Sequence, residues 1–530
     1  MNSMVLRHGD DCIVIDSGMM FPGAEHHGVD VVIPDFAFLE QCGTLHGVVL
    51  THAHEDHIGA LPYLLALHDL PVFAPAYARE LAGRRLSEHG LRATLKPFPD
   101  AGGTLRVGPF GVEPIPVAHS IPHAFMLALH TPAGTVLHTA DFKLTPGPAG
   151  GETTDLERLS RLGDAGVLLL LADSTNADRP GTTPGEGAAV AGIAEQIDAS
   201  PRRVLISTFA SNVRRVGAVA ALAAARGRRV AFVGRSLTTH VEIAERLGLL
   251  RFQPGLRATV DEAMDLPPER ALIFVSGSQG EPMSALSRIA VDKHRSVWLE
   301  PGDRLIHSAR VIPGNEKSVG NLINHVLRRG AEVVTAADAP VHVSGHASGD
   351  ELGEVFKRVR PRYLVPVHGE YRQLHANAAR GIDAGIPSDR VLLADSGDRI
   401  VVDPRGIRID GRVPVGRTFI DASLDEVDDL LLRERRQIAG EGLVVPVVAV
   451  NRDRGTLRAP PEIVTRGFVA DGNGLIEEAS RVVAEAVAAA SPEERGDEAL
   501  LKARIQTDLR RFLRRRTQRR PLILPVIVEL

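Results

Sequence analysis

The sequence has few cysteines and no long apolar runs. Its 530 residues include only Cys12 and Cys42, too few for the disulfide framework of many small secreted proteins. No stretch approaches the roughly 20 consecutive apolar residues that a membrane-spanning helix needs. The first eighteen residues also lack the basic, apolar and small-residue pattern of a secretory signal. We therefore expect a cytoplasmic protein that does not associate with membranes.

Aromatic residues and net positive charge are scarce as well. One tryptophan and four tyrosines limit how many nucleic-acid bases could stack on aromatic side chains. The formal net charge of -5 leaves no overall basic footprint of the kind that phosphate binding produces. Any nucleic-acid site must therefore be local. With 44% hydrophobic residues, a chain of this length can form several domains with separate cores.

Histidine and acidic residues, by contrast, are concentrated in the segment THAHEDH, residues 51–57. This segment follows the apolar run Gly47–Leu50, which reads as a buried strand, and precedes Ile58–Leu65, which reads as the start of a helix. Imidazole and carboxylate groups are the ligands that zinc takes in proteins. A solvated turn is the alternative, and it would be favoured for a single histidine. Four candidate ligands in one strand-to-helix loop favour a metal site.

The spacing of these four residues favours two metal ions over one. His52 and His54 are two apart and can point the same way from an extended chain, whereas the adjacent Asp56 and His57 point in different directions. A two-metal site also needs ligands from elsewhere, including an oxygen that bridges cations about 3.5–4 Å apart. Three candidates follow predicted strands, and together with THAHEDH they indicate ligation. They are His119 after Val112–Val117, Asp141 after Thr135–His138, and His368 after Tyr363–Val367.

A second region, from Arg203 to Val275, alternates strands and helices in the manner of a parallel sheet. Within it, Ala210, Ser211 and Asn212 lie between a predicted strand and the helix that follows. Free backbone amides at a helix N-terminus favour phosphate, although ordinary capping by Ser211 explains the residues equally well. Basic pairs in the same region either track a nucleic-acid backbone or form solvated faces. They are Arg202-Arg203, Arg214-Arg215 and Arg226–Arg229.

A larger set of motifs resembles the ribonuclease J family, in the β-CASP branch of the metallo-β-lactamase superfamily. The residues that carry the resemblance are MFPG and VVIPD near 18–35, THAHEDH at 51–57, HTADFK at 138–143, ADSTNA at 172–177, TFASNVRRV at 208–216, VSGSQGEP at 275–282, PGNE at 313–316, HVSGHAS at 342–348, VPVHGEYRQL at 365–374 and the final RRPLILPVIVEL. The resemblance thus covers almost the whole chain.

The resemblance implies an α/β fold, a metallo-β-lactamase αββα sandwich with an inserted β-CASP α/β domain and a small C-terminal α/β domain. The implied divisions are the first part of the core at 1–185, the β-CASP domain at 186–340, the second part of the core at 341–424, a linker at 425–440 and an oligomerisation domain at 441–530. The family usually has a glycine-rich strand before the position of Asn2, so the first strand of this core is expected to be missing.

The resemblance also implies the functional residues. The metal ligands would be His52, His54, Asp56, His57, His119, Asp141 and His368. The catalytic residues would be Asp56, Asp173 and His346, with His346 able to protonate the leaving oxygen. The residues that hold the 5′-terminal phosphate and adjacent backbone of RNA would be Ala210, Ser211, Asn212, His342, Val343, Ser344, Gly345 and His346. Without the family, an Asx-turn would be the better interpretation of Asp173.

The implied function is that of a cytoplasmic enzyme with two Zn²⁺ per subunit. It would degrade single-stranded RNA from a monophosphorylated 5′ end, with internal cleavage as a second mode, in rRNA maturation and mRNA processing and decay. A homodimer or homotetramer, an RNA degradosome and a structural Ca²⁺ at Asp421 are further implications. The alternatives are a β-CASP nuclease acting on DNA and a catalytically weak RNA-binding or assembly subunit.

Overall fold

A computed structural model describes residues 1–23, 26–99, 102–145, 151–421, 423–424, 426–451, 456–468 and 473–529. The first residue of the predicted linker, Asp425, and the last residue of the final motif, Leu530, lie outside the described residues. The chain divides into two compact units, Met1–Met20 with Ile33–Arg417 and Phe21–Val32 with Thr418–Leu530. The finer domain boundaries implied by the sequence stay predictions.

The first 175 residues contain two mixed β-sheets. The strands of this region are β1 (Met4–His8), β2 (Asp11–Ile15), β3 (Val31–Pro34), β4 (Thr44–Val49), β5 (Val72–Ala74), β6 (Leu95–Pro97), β7 (Leu105–Val107), β8 (Phe110–Val117), β9 (Ala124–Thr131), β10 (Gly134–His138) and β11 (Val167–Asp173), and all of them except β3 belong to these two sheets. The helices of the same region are α1 (Glu55–Ile58), α2 (Leu61–Leu67), α3 (Ala76–Glu88) and α4 (Leu156–Ala165). The first sheet has the order β1-β2-β4-β5-β6.

An inserted lobe follows. It consists of α5 (Glu186–Asp198), β12 (Val204–Thr208), α6 (Val213–Ala225), β13 (Arg229–Val233), α7 (Arg235–Arg246), α8 (Val260–Asp265), β14 (Ala271–Val275), α9 (Ala285–Ala290), β15 (Arg304–Ser308), α10 (Glu316–Arg328) and β16 (Glu332–Val334). All neighbouring strands in its sheet, of order β13-β14-β12-β15-β16, are parallel. The predicted parallel sheet is confirmed.

The chain then returns to the second sheet of the first region. The returning elements are α11 (Gly349–Val359), β17 (Tyr363–Val367), α12 (Tyr371–Asp383) and the hairpin β18 (Asp398–Asp403) and β19 (Gly406–Arg412). Strand β17 completes the second sheet, whose order is β17-β11-β10-β9-β8-β7. One core lies between the two sheets, where Ile15 and Val49 pack with Leu127 and Leu171. Helices α4 and α11 cover the other face of the second sheet, in the layered arrangement that the resemblance implies.

The smaller unit has its own core. From residue 417 the elements are β20 (Arg417–Ile420), β21 (Glu426–Val427), α13 (Asp429–Glu441), β22 (Leu443–Val450), β23 (Glu462–Arg466), α14 (Asn473–Ala488), α15 (Pro492–Gly496), α16 (Glu498–Thr517), β24 (Leu522–Ile523) and β25 (Val526–Glu529). Val448 on β22 packs with Val483 on α14 and Ile505 on α16. Within the described residues, none of the helices has the length and apolar character needed to cross a bilayer.

Candidate active site

Three of the predicted ligands stand at strand ends that share one edge of the second sheet. Strands β10, β11 and β17 are parallel, so their C-terminal ends meet at the same edge. Strand β8 runs the same way, because two successive antiparallel pairings, with β9 and then β10, restore its direction. His119, Asp141 and His368 follow β8, β10 and β17, respectively. The topology therefore brings together residues that are far apart in the sequence.

The THAHEDH segment is divided between a loop and a helix. His52 and His54 lie in the loop after β4, whereas Asp56 and His57 lie in the first turn of α1. The predicted loop was thus too long, because the helix already begins at Glu55, with His54 as its N-cap residue. His52 and His54 enter one donor group, as their spacing predicted, whereas the adjacent Asp56 and His57, which were predicted to point in different directions, enter a second group together.

The first donor group consists of His52, His54, His119 and Asp141. Nδ1 of His54 lies 3.1 Å from Nε2 of His52 and 3.1 Å from Nε2 of His119. Oδ2 of Asp141 lies 3.5 Å from Nε2 of His52 and 3.8 Å from Nε2 of His119. Tetrahedral zinc with bonds of about 2.0–2.1 Å separates its ligand atoms by roughly 3.3–3.4 Å. The donor spacing therefore fits such a cation.

The protonation of this group also fits metal binding. Burial lowers the pKa of His52 and His119 well below the ordinary histidine value, and it lowers that of His54 to about 4. Neutral imidazole is the form that binds a metal. Nδ1 of His119 donates to the carbonyl of Gly345 at 2.8 Å. The other ring nitrogen, Nε2, therefore carries no proton, and its lone pair is directed into the group.

The second donor group consists of Asp56, His57, Asp141 and His368 and shares Asp141 with the first. Nε2 of His57 lies 3.3 Å from Oδ2 of Asp141, and Nε2 of His368 lies 3.4 Å from Oδ2 of Asp56. Oδ1 of the buried Asp141 is 2.9 Å from Nδ1 of His368, yet it makes no hydrogen bond within the described part of the chain. A buried carboxylate that belongs to both groups fits the role of a bridging ligand.

The charge of the second group favours a cation. Burial alone lowers the pKa of His57, but the carboxylates, Asp141 foremost, outweigh it and raise that pKa to about 10. The same balance raises the pKa of His368 well above its ordinary value. Burial raises the pKa of Asp141, but the facing imidazoles, led by that of His368, bring it well below the usual range. The negative carboxylates that hold protons on these two buried imidazoles also favour a divalent cation in place of the protons.

Partners outside the two groups fix the orientation of the rings. Asp16 accepts from Nδ1 of His57 at 2.7 Å and from the hydroxyl of Thr51 at 2.8 Å, so Nε2 of His57 points into the second group. The hydroxyl of Ser211, from the inserted lobe, lies 3.2 Å from Nε2 of His54. Outer partners of this kind hold metal-binding histidines in the correct tautomer.

Asp173 and His346 form a hydrogen-bonded pair beside the donor groups. Nδ1 of His346 lies 2.8 Å from Oδ2 of Asp173, while Oδ1 of Asp173 accepts from Thr175 Oγ1 at 2.8 Å. Burial alone lowers the pKa of His346, but Asp173 and Asp141 outweigh it and raise that pKa. Nε2 of His346 lies 3.9 Å from Oδ2 of Asp141. The pair therefore borders the carboxylate shared by both groups.

The backbone is strained around these residues. Asp16, Ala140 and His368 have left-handed conformations with φ of 59°, 48° and 56°, each at the end of a strand. Such a conformation costs a non-glycine residue on the order of 1–3 kcal/mol and clusters at functional sites. Gly345 meets a different constraint, because a Cβ there would lie 2.7 Å from Cε1 of His119. Close packing around the strand ends offsets the cost of these left-handed conformations.

The three residues of the TFASN motif have separate positions. Ser211 contacts His54, as described above. Asn212 is buried, and its Oδ1 accepts from the backbone N–H of Arg215 at 3.2 Å, so Asn212 rather than Ser211 caps α6. The side chain of Asn212 is thus occupied within the protein. Ala210 lies in the turn between β12 and α6.

The segment from His342 to Gly345, called here the 342–345 segment, lies beside a cavity of about 490 Å³. The cavity is lined by His342, Val343 and Ser344 together with Arg310 and Asn176, among others. The hydroxyl of Ser344 accepts from Nδ2 of Asn176 at 2.9 Å and keeps its own proton to donate. Hydrogen-bond donors and a guanidinium near an open space suit an anionic ligand.

Three arginines of the basic pairs in the inserted lobe lie inside the protein. Arg203 is buried and pairs with Asp303 at 2.9 Å, and the buried Arg228 donates to the carbonyl of Ser200 at 2.7 Å. Arg215 is also buried. For these three residues the interpretation as a nucleic-acid track is wrong. The partly exposed members each pair with a carboxylate, and for them the interpretation stays a prediction; they are Arg202, Arg214, Arg226 and Arg229.

Sequence reasoning missed Asp16 and the buried pair of Arg215 with Glu186. A signal existed for Asp16, since it follows a strand and precedes a polar turn, as Asp141 and Asp173 do. Glu186 gave no such signal, because an acidic residue at the start of a helix is ordinary.

Asp421, the predicted calcium ligand, accepts from the backbone of Ser423 at 2.9 Å. Calcium binding there stays a prediction.

Four family models match the sequence in chain order. "Metallo-beta-lactamase superfamily" matches residues 2–176 and "Ribonuclease J, beta-CASP domain" matches residues 201–326. "Zn-dependent metallo-hydrolase RNA specificity domain" matches residues 334–389, and "Ribonuclease J C-terminal domain" matches residues 430–530. The fold implied by the sequence motifs is confirmed by these matches.

Similar proteins extend over the full chain. Ribonuclease J of Mycolicibacterium smegmatis is 39% identical over 532 residues, which cover 100% of this chain and 95% of that protein. Ribonuclease J of Mycobacterium tuberculosis is 38% identical, with the same coverage. A crystal structure of a protein of unknown function from Enterococcus faecalis has a TM-score of 0.51 at 17% identity, covers 75% of this chain and 95% of that one, and shows a similar fold. The chain therefore belongs to the ribonuclease J family of metal-dependent nucleases.

Proposed function

We propose that the protein is a zinc-dependent 5′-to-3′ exoribonuclease that acts on single-stranded RNA, with endonucleolytic cleavage as a second mode. The observation that carries this proposal is the meeting of two donor groups at Asp141, beside Asp173 and His346. The inserted lobe supplies Ser211 to the same place. Maturation of rRNA and processing and decay of mRNA are the proposed roles in the cell.

Two zinc ions fit the donors. His52, His54, His119 and Asp141 would hold one ion, and Asp56, His57, Asp141 and His368 the other. When bound, such ions supply Lewis-acid stabilisation of the charge that develops on the phosphoryl oxygens. Histidine nitrogen with carboxylate oxygen is a donor set that zinc takes readily. The number and identity of the ions are part of the proposal.

The protein side chains have separate tasks in hydrolysis. The attacking water must lose a proton, and the half-exposed carboxylate of Asp56 can accept it. The water oxygen bonds to phosphorus as the bond between phosphorus and the 3′-oxygen breaks. Nε2 of His346 can protonate the leaving 3′-oxygen. Asp173 orients His346 through its Nδ1. The downstream RNA is left with a 5′-monophosphate, which is the end required for the next cut.

Selection of the 5′ end would come from residues around the cleft. The proposed contacts to the terminal phosphate and the adjacent backbone are Ala210, Ser211, Asn212, His342, Val343, Ser344, Gly345 and His346. The hydroxyl of Ser344 and the ring of His342 supply donors beside the cavity described above. Asn212 can contribute only through its backbone, because its side chain caps α6.

The assembly and location of the protein belong to the same proposal. Residues 441–530 would form the contacts of a homodimer or homotetramer, and the enzyme would act in the cytoplasm, where an RNA degradosome is a fitting partner. A structural Ca²⁺ at Asp421 is a further part of the proposal. Size-exclusion chromatography with light scattering tests the oligomeric state, and a monomer at micromolar concentration would contradict it.

A cleavage assay on matched substrates tests the central proposal. The zinc content of the purified protein should be close to two ions per chain, and 5′-monophosphate RNA should yield single nucleotides faster than 5′-triphosphate RNA. Asp56→Ala and His368→Ala should abolish cleavage while the far-ultraviolet circular dichroism is retained. Zinc-loaded protein that cleaves neither RNA would indicate an assembly subunit. Equal or faster cleavage of DNA would indicate a DNA nuclease.

A further inference from the structure

A second buried cluster of charged residues lies behind the proposed site for the RNA terminus. Its centre is Arg215 on α6, which is 1% exposed, and its acidic member is Glu186, the first residue of α5, which is also 1% exposed. Neither residue belongs to the donor groups. Burial of a charged pair is costly unless its hydrogen bonds are complete, so the partners of Arg215 show what the pair does.

The guanidinium of Arg215 has partners in three parts of the chain. Its Nε and Nη2 each donate to one carboxylate oxygen of Glu186 at 2.9 Å. Nη1 donates to the carbonyl of Ser308 at 3.0 Å, at the end of β15. Nη1 also lies 3.1 Å from Nδ1 of His342, and Nη2 donates to the carbonyl of Val343 at 3.4 Å. One side chain thus joins the inserted lobe to the 342–345 segment.

The backbone of Arg215 completes the connection. Its N–H donates to Oδ1 of Asn212, the cap of α6, immediately after Ala210 and Ser211. The two halves of the proposed terminus site, residues 210–212 and 342–345, are therefore fixed to the same residue. Lys143 adds to the same connection, because its Nζ donates to the carbonyl of Ser344 at 3.2 Å and lies 3.8 Å from Oε1 of Glu186.

The contact with His342 also determines what that ring can offer. A guanidinium is only a donor, so Nδ1 of His342 must accept and the ring proton lies on Nε2. Burial and then the charge of Arg215 lower the pKa of His342 to about 3. His342 is thus held as a neutral donor in one tautomer beside the cavity. Lysine could not reproduce this set of contacts, because it lacks the planar fork of donors.

We propose that Arg215 is a positioning residue that holds the two halves of the RNA-terminus site at their working separation and so determines the preference for a 5′-monophosphate. The inference rests on the proposed function. Within the described residues Arg215 does not contact the donor groups itself, although the segments that it holds include Ser211 and Gly345, which contact His54 and His119. Its loss should therefore act mainly on recognition of the end, seen in KM, with much smaller changes in kcat and in the zinc content.

Arg203 offers a matched control. It is a buried arginine of the same lobe, paired with the buried Asp303 at 2.9 Å, and none of its side-chain contacts reaches the 342–345 segment within the described residues. Arg215→Met and Arg203→Met each remove one buried guanidinium. Either change takes the nearest guanidinium from a buried carboxylate, which then keeps only a longer contact: Glu186 with Nζ of Lys143 at 3.8 Å, or Asp303 with Nε of Arg202 at 3.5 Å. The double variant Arg215→Met/Glu186→Gln is therefore included, in which both charges of the pair are removed.

The test compares full-length variants on RNAs of one sequence that carry a 5′-monophosphate or a 5′-hydroxyl. For Arg215→Met and for the double variant, kcat/KM on the monophosphate RNA should fall by roughly 10- to 100-fold, through KM, because charge-assisted contacts are displaced. On the hydroxyl RNA, both should match the parent, and Arg203→Met should keep the parent's preference.

The outcomes separate the inference from the proposed function. A double variant that keeps the preference, or that loses activity equally on both RNAs, overturns the role of Arg215. Loss of the preference in Arg203→Met overturns it too, since any buried arginine of the lobe would then serve. A parent enzyme without a preference for the monophosphate overturns the proposed function itself, whatever the variants do.

Discussion

Two of the buried charged clusters in the described residues differ in how their donors and acceptors are matched. The two donor groups around Asp141 are called the metal-type cluster. In this cluster, imidazole nitrogens face one another at 3.1 Å. A buried carboxylate oxygen of Asp141 makes no hydrogen bond within the described residues. In the Arg215 cluster, the guanidinium donates to both oxygens of Glu186 and to the carbonyls of Ser308 and Val343. The donors of the first cluster fit a cation, whereas those of the second are matched by acceptors of the protein itself.

The difference shows how burial of charge can serve function or structure. An incomplete set of donors is destabilising by itself and gains stability from whatever completes it. A complete pair gains nothing from a ligand and can hold other residues in place. Removal of a residue from the first cluster should therefore act through metal binding, and removal from the second through folding and position.

The largest effect is expected for Asp141→Ala, because Asp141 belongs to both donor groups. Cleavage should fall by at least about 10³-fold, since the charge stabilisation supplied by both ions is lost. Zinc content per chain, measured by mass spectrometry, should fall with it. Asp303→Ala is the control, as it removes an equally buried carboxylate from the inserted lobe. It should lower the thermal unfolding midpoint without loss of zinc, and zinc loss in both variants would break the comparison.

The next effect concerns the stability of the Arg215 cluster. Arg215→Met alone should destabilise the fold by about 3–5 kcal/mol, because Glu186 stays charged and keeps only a longer contact with Nζ of Lys143 at 3.8 Å. The double variant with Glu186→Gln should recover part of that loss, since it removes the buried negative charge but also takes the carboxylate from Lys143. Urea denaturation of zinc-loaded protein measures both values. A double variant as unstable as the single one would mean that the geometry of the pair, rather than its compensation, stabilises the lobe.

The convergence of the seven proposed ligands in two donor groups could be predicted because strand ends and spacing are visible in a sequence. His119, Asp141 and His368 each follow an apolar run, and parallel strands bring such ends together. The orienting contacts of Asp16 and of the Gly345 carbonyl could not be predicted, since each joins residues that only the fold brings close.

The errors in secondary structure have local causes. The final motif, RRPLILPVIVEL, reads as one strand over Leu522–Val528 but forms two short strands, β24 and β25, because Pro525 between them has no N–H to donate. The strand β1 was missed, since Met4–His8 carries polar and basic residues and stands at the edge of its sheet. The burial of Arg203 and Arg215 was missed because their acidic partners, Asp303 and Glu186, are remote in sequence.

The orientation of ligands gives a smaller effect that sharpens the comparison. Asp16→Asn keeps the size of the side chain but weakens its hold on Nδ1 of His57. The affinity for zinc should fall by about 10- to 100-fold, as for other partners of metal-binding histidines. Competition with a chelator measures the change. The unfolding of the metal-free protein should change less than that of the loaded protein, and the reverse would assign Asp16 a purely structural role.

The smallest effect is a dependence on pH that separates a histidine facing protein from one facing metal. Nδ1 of His240 lies 2.8 Å from the hydroxyl of the buried Tyr77, and burial lowers the pKa of His240 to about 4. Between pH 6.5 and 4 the unfolded chain binds a proton that the folded one does not, so stability falls as the pH falls, by roughly 1.4 kcal/mol for each pH unit. His240→Gln should remove this part of the acid sensitivity with or without zinc. The neutral ligand His54 has a similarly lowered pKa, and its contribution should depend on zinc, because the ion and the proton compete for the same nitrogen.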